Sequence, residues 1–266
     1  MKGMIELQLW QAAAAYLFVL VVLLIVRWKR IPREKAIVVS AVRMTLQLII
    51  MGYVLVYIFE NPSPWFSLAV LAAMVSFAVY NITKRAKEHL TPKLKTAVAV
   101  SMTLGTLACL FYFLLVVVGL SPWYDPQYLI PLAGMLVGNS MTAVALGINN
   151  LLEAVRSRRA LITDALMLGA TPKRAMKPIL NSAFDAALLP TVNSMLGIGI
   201  VFLPGLMTGQ ILSGISPFTA IEYQIAIMLG IMGSVTLSVT IFLQLAYKSF
   251  FNEDAQLVVP TTPKAK

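Results

Sequence analysis

The sequence predicts an all-α integral membrane protein: a polytopic bundle of about seven transmembrane helices, N-terminus outside and C-terminus cytoplasmic, with a cytoplasmic helix pair before the last two spans. Three observations carry this. Apolar residues make up 59% of the 266 and charged residues 12%, with a mean hydropathy of +0.83. A soluble domain has roughly 25% charged residues, so lipid must be the solvent for much of this surface. Seven apolar stretches are long enough to cross about 30 Å of hydrocarbon, near 7–26, 36–59, 65–83, 96–119, 129–150, 190–212 and 219–247. Finally, the net charge of +10 is distributed by topology. Five Lys/Arg fall in 27–35, five in 84–95, six in 151–189 and three in 248–266, while 60–64, 120–128 and 213–218 have none. The positive-inside rule places the four basic segments in the cytoplasm. Contact with anionic lipid accounts for the basicity without nucleic acid as a partner.

Span one is followed by Arg27-Trp28-Lys29-Arg30 and preceded only by Lys2. A secretory signal carries its positive charges before the apolar run, so this reads as a retained span. Span two holds Arg43, with Gln47 one turn later on the same face. A buried charge in a membrane faces protein or water, or snorkels to the interface. Arg43 and Gln47 are therefore pathway candidates, with snorkelling as the alternative. Span four contains Cys109, the one cysteine, and the loop before it holds His89, the one histidine. A disulfide framework and a His/Cys metal cluster are both excluded. Span five carries Asn139, a candidate for the pathway or for a hydrogen bond between helices.

Segment 151–189 is the largest stretch between spans and reads helix, turn, helix. Gly169 fits the left-handed position that ends a helix, and Thr171-Pro172 fits the N-cap and first residue of the next. Pro178 and Pro190 are expected to bracket re-entry into the membrane. In span six, Pro204-Gly205 and Gly209 are expected to break the helix, so that Met207 and Gln210 face the break. Glu222 and Gln224 lie just inside span seven. The fourteen methionines are scattered, and space-filling explains them as well as a soft-metal path does. The reading is one transmembrane domain over 1–251 and a disordered tail over 252–266. The chain carries no G-x-x-x-x-G-K-[ST] string, so any use of ATP by that route falls to another chain.

Several strings resemble the FetB family of ABC-transporter permeases, the iron-export type related to plant aluminium-tolerance permeases. They include Arg43 with Gln47-Leu48-Ile49 and Gly52-Tyr53, Gly138-Asn139-Ser140-Met141, Leu168-Gly169-Ala170-Thr171-Pro172, and Leu203-Pro204-Gly205-Leu206-Met207-Thr208-Gly209-Gln210-Ile211. The likeness spans about 36–250. It implies that 151–189 is a coupling segment contacting an ABC ATPase subunit through Asp164, Leu168, Gly169, Ala170, Thr171 and Pro172. Where the general permease pattern carries Glu six residues before the glycine, this chain has Thr163, with Asp164 next. It further implies two copies of the chain with two ATPase subunits, no cofactor in this chain, ATP and Mg on the partner, a multi-pass place in the plasma membrane, and export of iron or a related metal species. The polar and helix-breaking residues of the spans make Arg43, Gln47, Asn139, Pro204, Gly205, Met207, Gly209, Gln210, Glu222 and Gln224 the candidate substrate pathway. A sugar-nucleotide cargo stands as the alternative, as does an ion-driven carrier, although a carrier calls for deep titratable groups and the spans offer little beyond Arg43. An intramembrane enzyme calls for paired acids, a Ser/His pair or a metal cluster at mid-depth, and none is present.

Overall fold

The computed structural model describes residues 8–86, 90–252 and 254–258. His89, Lys2 and the chain from 259 lie outside the described residues. The described chain is helical almost throughout: α1 (Leu9–Trp28), α2 (Glu34–Glu60), α3 (Pro64–Arg85), α4 (Pro92–Tyr112), α5 (Pro126–Ser157), α6 (Arg159–Met167), α7 (Pro172–Gly197), α8 (Gly205–Leu212) and α9 (Pro217–Ala246). A wider π-helical turn, Phe113–Val118, prolongs α4, and a 3₁₀ turn, Tyr247–Phe250, prolongs α9.

Proline sets most of the helix starts. Pro64, Pro92, Pro126, Pro172 and Pro217 each stand in the first turn of a helix, where the missing N–H has no partner to lose. Side chains supplement this at two starts. Thr91 Oγ1 accepts from the Leu94 N–H at 3.4 Å, and Asp125 accepts from the Gln127 N–H at 2.9 Å.

Five helical runs are long and apolar enough to cross a bilayer: Glu34–Glu60, Pro64–Lys84, Pro92–Val118, Pro126–Ser157 and Pro217–Phe250. They correspond to the expected spans two, three, four, five and seven. The first expected span corresponds to α1, whose apolar portion Ala13–Trp28 is shorter.

The sixth differs from expectation. Segment 151–189 and the following span share one helix, because α7 runs unbroken from Pro172 to Gly197. Pro178 and Pro190 lie inside it rather than bracketing its entry. Each removes one backbone donor, a loss that a helix tolerates when its neighbours hold it, and α7 buries Met176, Ile179, Ala183, Ala187 and Leu188 in the bundle. Of the tail expected from 252, residues 252 and 254–258 are described. The Val258 N–H donates to the Phe250 carbonyl at 2.8 Å, the Gln256 N–H donates to Asn252 Oδ1 at 2.7 Å, and Leu257 packs against the core.

The core is formed by α4, α5, α7 and α9, with α3 packed on α4 and α5. Lipid tails are as apolar as leucine, so helices in a membrane associate by close approach and by hydrogen bonds rather than by hydrophobic burial. Small residues provide that approach. Gly105 on α4 lies against Ser238 on α9, where an added Cβ would stand 2.7 Å from the Ser238 Cα. Gly147 on α5 meets Ala187 on α7, with 3.5 Å between an added Cβ and the Ala187 Cβ. Ser140 and Ser234, both fully buried, share a hydrogen bond of 2.9 Å between α5 and α9. In contrast, α2 buries only Ile58. It packs mainly on α1, with Tyr16 hydrogen-bonded to Thr45.

Candidate functional site

Two places concentrate the residues singled out in the sequence: a cavity beside the broken span and the elbow between α6 and α7.

The break lies between Gly197 and Gly205 and is wider than the expected Pro204-Gly205 kink. Gly199 adopts φ +84°, a left-handed conformation that glycine takes without strain. Its N–H donates to the Phe202 carbonyl at 3.0 Å, and the Val201 N–H donates to the Gly197 carbonyl at 2.9 Å. The loop thus satisfies part of its own backbone, as broken backbone at membrane depth must. Pro204 then stands as N-cap of α8 and Gly205 as its first residue. The Thr208 N–H donates back to the Pro204 carbonyl at 2.9 Å.

A cavity of about 390 Å³ opens where the end of α7, this loop, α8 and α9 meet. Its walls are apolar apart from the amide of Gln224, and three methionines contribute to them: Met195 from α7, Met207 from α8 and Met228 from α9. Gln224 is only 7% exposed and its Oε1 has no hydrogen-bond partner. Gln210, one helical turn beyond Met207, is half-buried, and its Oε1 also lacks a partner. Gly209, on the same short helix, is exposed.

Of the other pathway candidates, none lines this cavity. Arg43 is exposed and holds its guanidinium over the Phe77 ring of α3, 5.2 Å from the centroid. Gln47 is exposed on α2. Asn139 turns back on its own helix, donating to the Met135 carbonyl at 2.8 Å; the hydrogen bond between helices belongs to its neighbour Ser140. Glu222 lines a separate groove of about 610 Å³ between α4 and α9, shared with Cys109, Tyr112 and Phe113. Met195 and Met228 were not among the residues singled out in the sequence. Met228 lies one helical turn beyond Gln224, a spacing that places the two on one face.

The elbow matches its sequence reading closely. α6 ends at Met167, and Gly169 takes φ +84°. The Gly169 N–H donates to the Leu166 carbonyl at 3.0 Å and the Ala170 N–H to the Ala165 carbonyl at 2.9 Å. That pair of bonds is a Schellman closure. Thr171 is the N-cap of α7, with its carbonyl accepting from Arg174 and Ala175, and Pro172 opens the helix. The turn pushes apolar side chains outward: Met167 is 81% and Leu168 89% exposed. Asp164 is exposed on the same helix. Beside the elbow, Thr171, Lys173, Arg174, Lys177 and Gln244 line a basic recess of about 400 Å³.

A family model described as Uncharacterised protein family (UPF0014) matches residues 9–251. The chain is 38% identical over 253 residues to the Probable iron export permease protein FetB of Escherichia coli (strain K12), covering 95% of each chain. It is 36% identical over 258 residues to the Protein ALUMINUM SENSITIVE 3 of Arabidopsis thaliana, covering 97% of this chain and 90% of that one. It is 35% identical over 245 residues to the UPF0014 membrane protein YjkA of Bacillus subtilis (strain 168), covering 91% and 94%. No solved structure matches.

Proposed function

Since the chain belongs to the UPF0014 family of membrane proteins, we propose that it is the membrane-spanning permease subunit of an ATP-driven transporter, with the elbow between α6 and α7 as its contact with a separate ATPase. The single observation that carries this reading is the elbow itself. A Schellman turn at Gly169 holds Met167 and Leu168 out of the fold with basic residues beside them. Exposed apolar anchors ringed by polar groups are what a docking partner covers. In this reading the basic segments face the cytoplasm, the functional unit is two copies of this chain with two ATPase subunits, and ATP and Mg stay on the partner.

The mechanism follows from α7. One helix of 26 residues joins the elbow at its start to Met195 near its end, about 39 Å at 1.5 Å per residue. Closure of the ATPase pair displaces the elbow. A continuous helix transmits that displacement to the cavity wall, while the break at 198–204 lets α8 stay behind. The cavity thereby changes shape with the nucleotide state. For cargo, the Escherichia coli relative, named a probable iron export permease, supports a metal species, with export as the direction.

The test is co-purification of the tagged chain with a candidate ATPase in mild detergent. Stoichiometric recovery and ATP hydrolysis, weakened in a Gly169→Val, Pro172→Ala double variant, are the expected result. A folded chain that retains no ATPase from any candidate sinks the reading.

A further inference from the structure

Resting on the metal-transport reading above, we propose that the cavity between α7, α8 and α9 binds a soft monovalent cation, Cu(I) or Ag(I), through the thioethers of Met195, Met207 and Met228 and the amide oxygen of Gln224. Each of the three helices supplies one methionine to the lining of a space of about 390 Å³. Met207 is buried, and Gln224 is more than nine-tenths buried with its Oε1 unpaired. An acceptor in that condition calls for a donor or a cation.

The donor set then selects the cation. Thioethers are neutral and polarizable, and they favour Cu(I) over hard ions. No carboxylate, imidazole or thiolate lines the cavity. Nor do the described residues hold any group of three or more His, Cys, Asp or Glu able to take a metal ion. A divalent or trivalent iron ion entering here would shed its water with no anionic ligand to replace it. A single positive charge is far cheaper to bury, because the solvation penalty grows with the square of the charge. Met195 and Met207 also sit on opposite sides of the backbone break. Displacement of α7 relative to α8 changes the distance between these two ligands, which ties the affinity for the ion to movement of the elbow.

The test uses the full chain in lipid nanodiscs, titrated with Cu(I) under reducing conditions against a competing chelator, with Fe(II) titrated in parallel. The expected result is one Cu(I) per chain and weaker or absent Fe(II) binding. A Met195→Leu, Met207→Leu, Met228→Leu chain should lose affinity by at least about 10- to 100-fold. X-ray absorption should show sulfur neighbours in the wild type that the variant lacks. Leucine nearly matches methionine in volume, and the single Met→Leu chains serve if the triple one does not fold. A triple variant that melts as the wild type and binds Cu(I) equally well overturns the proposal. So does a wild type that takes Fe(II) with equal or greater affinity, or none of these ions. ATPase recovery, read on the same preparations, separates the two conclusions. A chain that keeps its ATPase yet binds no Cu(I) refutes the cation site alone. One that binds Cu(I) but no ATPase refutes the coupling reading and leaves the site standing.

Discussion

Ser140 on α5 and Ser234 on α9 donate and accept a single hydrogen bond of 2.9 Å, and neither side chain reaches the surface. Replacing Ser140 with Ala removes the Ser234 hydroxyl's partner on the other helix, and the reverse replacement does the same to Ser140. Hydrogen bonds between membrane helices are worth about 0.6 kcal/mol on average and up to about 1.7 kcal/mol. The Ser140→Ala and Ser234→Ala chains should each lose about that much, and the double variant little more than either alone. Unfolding of the four chains in detergent gives the coupling energy. Strict additivity would show that the bond does not hold α5 to α9.

Close approach of α4 and α9 is the next test. An added Cβ at Gly105 would lie 2.7 Å from the Ser238 Cα and 2.8 Å from its backbone nitrogen. Backbone atoms cannot swing aside as a side chain does, so the two helices must separate. Gly105→Ala should destabilise by about 1–3 kcal/mol, the usual range for overpacking. Gly138→Ala is the control, since nothing lies within 4 Å of its added Cβ. In a helix that exchange should be neutral or slightly stabilising. Thermal melting of the two variants side by side distinguishes them, and equal effects would overturn the assigned helix contact.

At the elbow, geometry and space separate cleanly. Gly169 has φ +84° and nothing within 4 Å of an added Cβ. Any penalty there comes from backbone conformation alone, of about 1–2 kcal/mol for an ordinary residue. Asparagine tolerates the left-handed region better than valine does. ATPase recovery is therefore expected in the order wild type, Gly169→Asn, Gly169→Val, while the melting temperature of the bundle changes little. Leu168→Asp, at a position 89% exposed, should leave the fold intact and reduce recovery further. Full recovery with Leu168→Asp would remove this residue from the docking surface.

These elements were not equally legible in the sequence. The elbow was, because its signals are local: Gly169, Thr171 and Pro172 each dictate a backbone conformation within a few residues. Five of the seven span positions were also legible, since twenty apolar residues in a row leave few alternatives. Pro178 and Pro190 misled because proline weakens a helix without ending it where neighbours supply support; α5 and α9 pack along α7 and supply it here. Ser140 and Gly105 carried no message as single residues, for their meaning depends on Ser234 and Ser238, some ninety and more positions later. The cavity shares that difficulty. Met195, Met207 and Met228 are ordinary apolar residues until the break at 198–204 folds α8 beside α9.

The last prediction concerns Gln224, whose unpaired Oε1 is buried in the cavity wall. A buried acceptor without a partner costs about 1–3 kcal/mol. Leucine has a similar size and no polar atom, so Gln224→Leu should raise the stability of the ligand-free chain by an amount in that range. The same substitution removes the one polar group that recognises a cation there, so transport should fall as stability rises. Such opposition marks a residue retained for function against the interest of the fold. The check is thermal unfolding of wild type and Gln224→Leu without added metal, paired with uptake of Cu(I) into vesicles that hold the complete transporter. A destabilised Gln224→Leu chain would mean that the amide is satisfied within the fold, and that the cavity wall is structural.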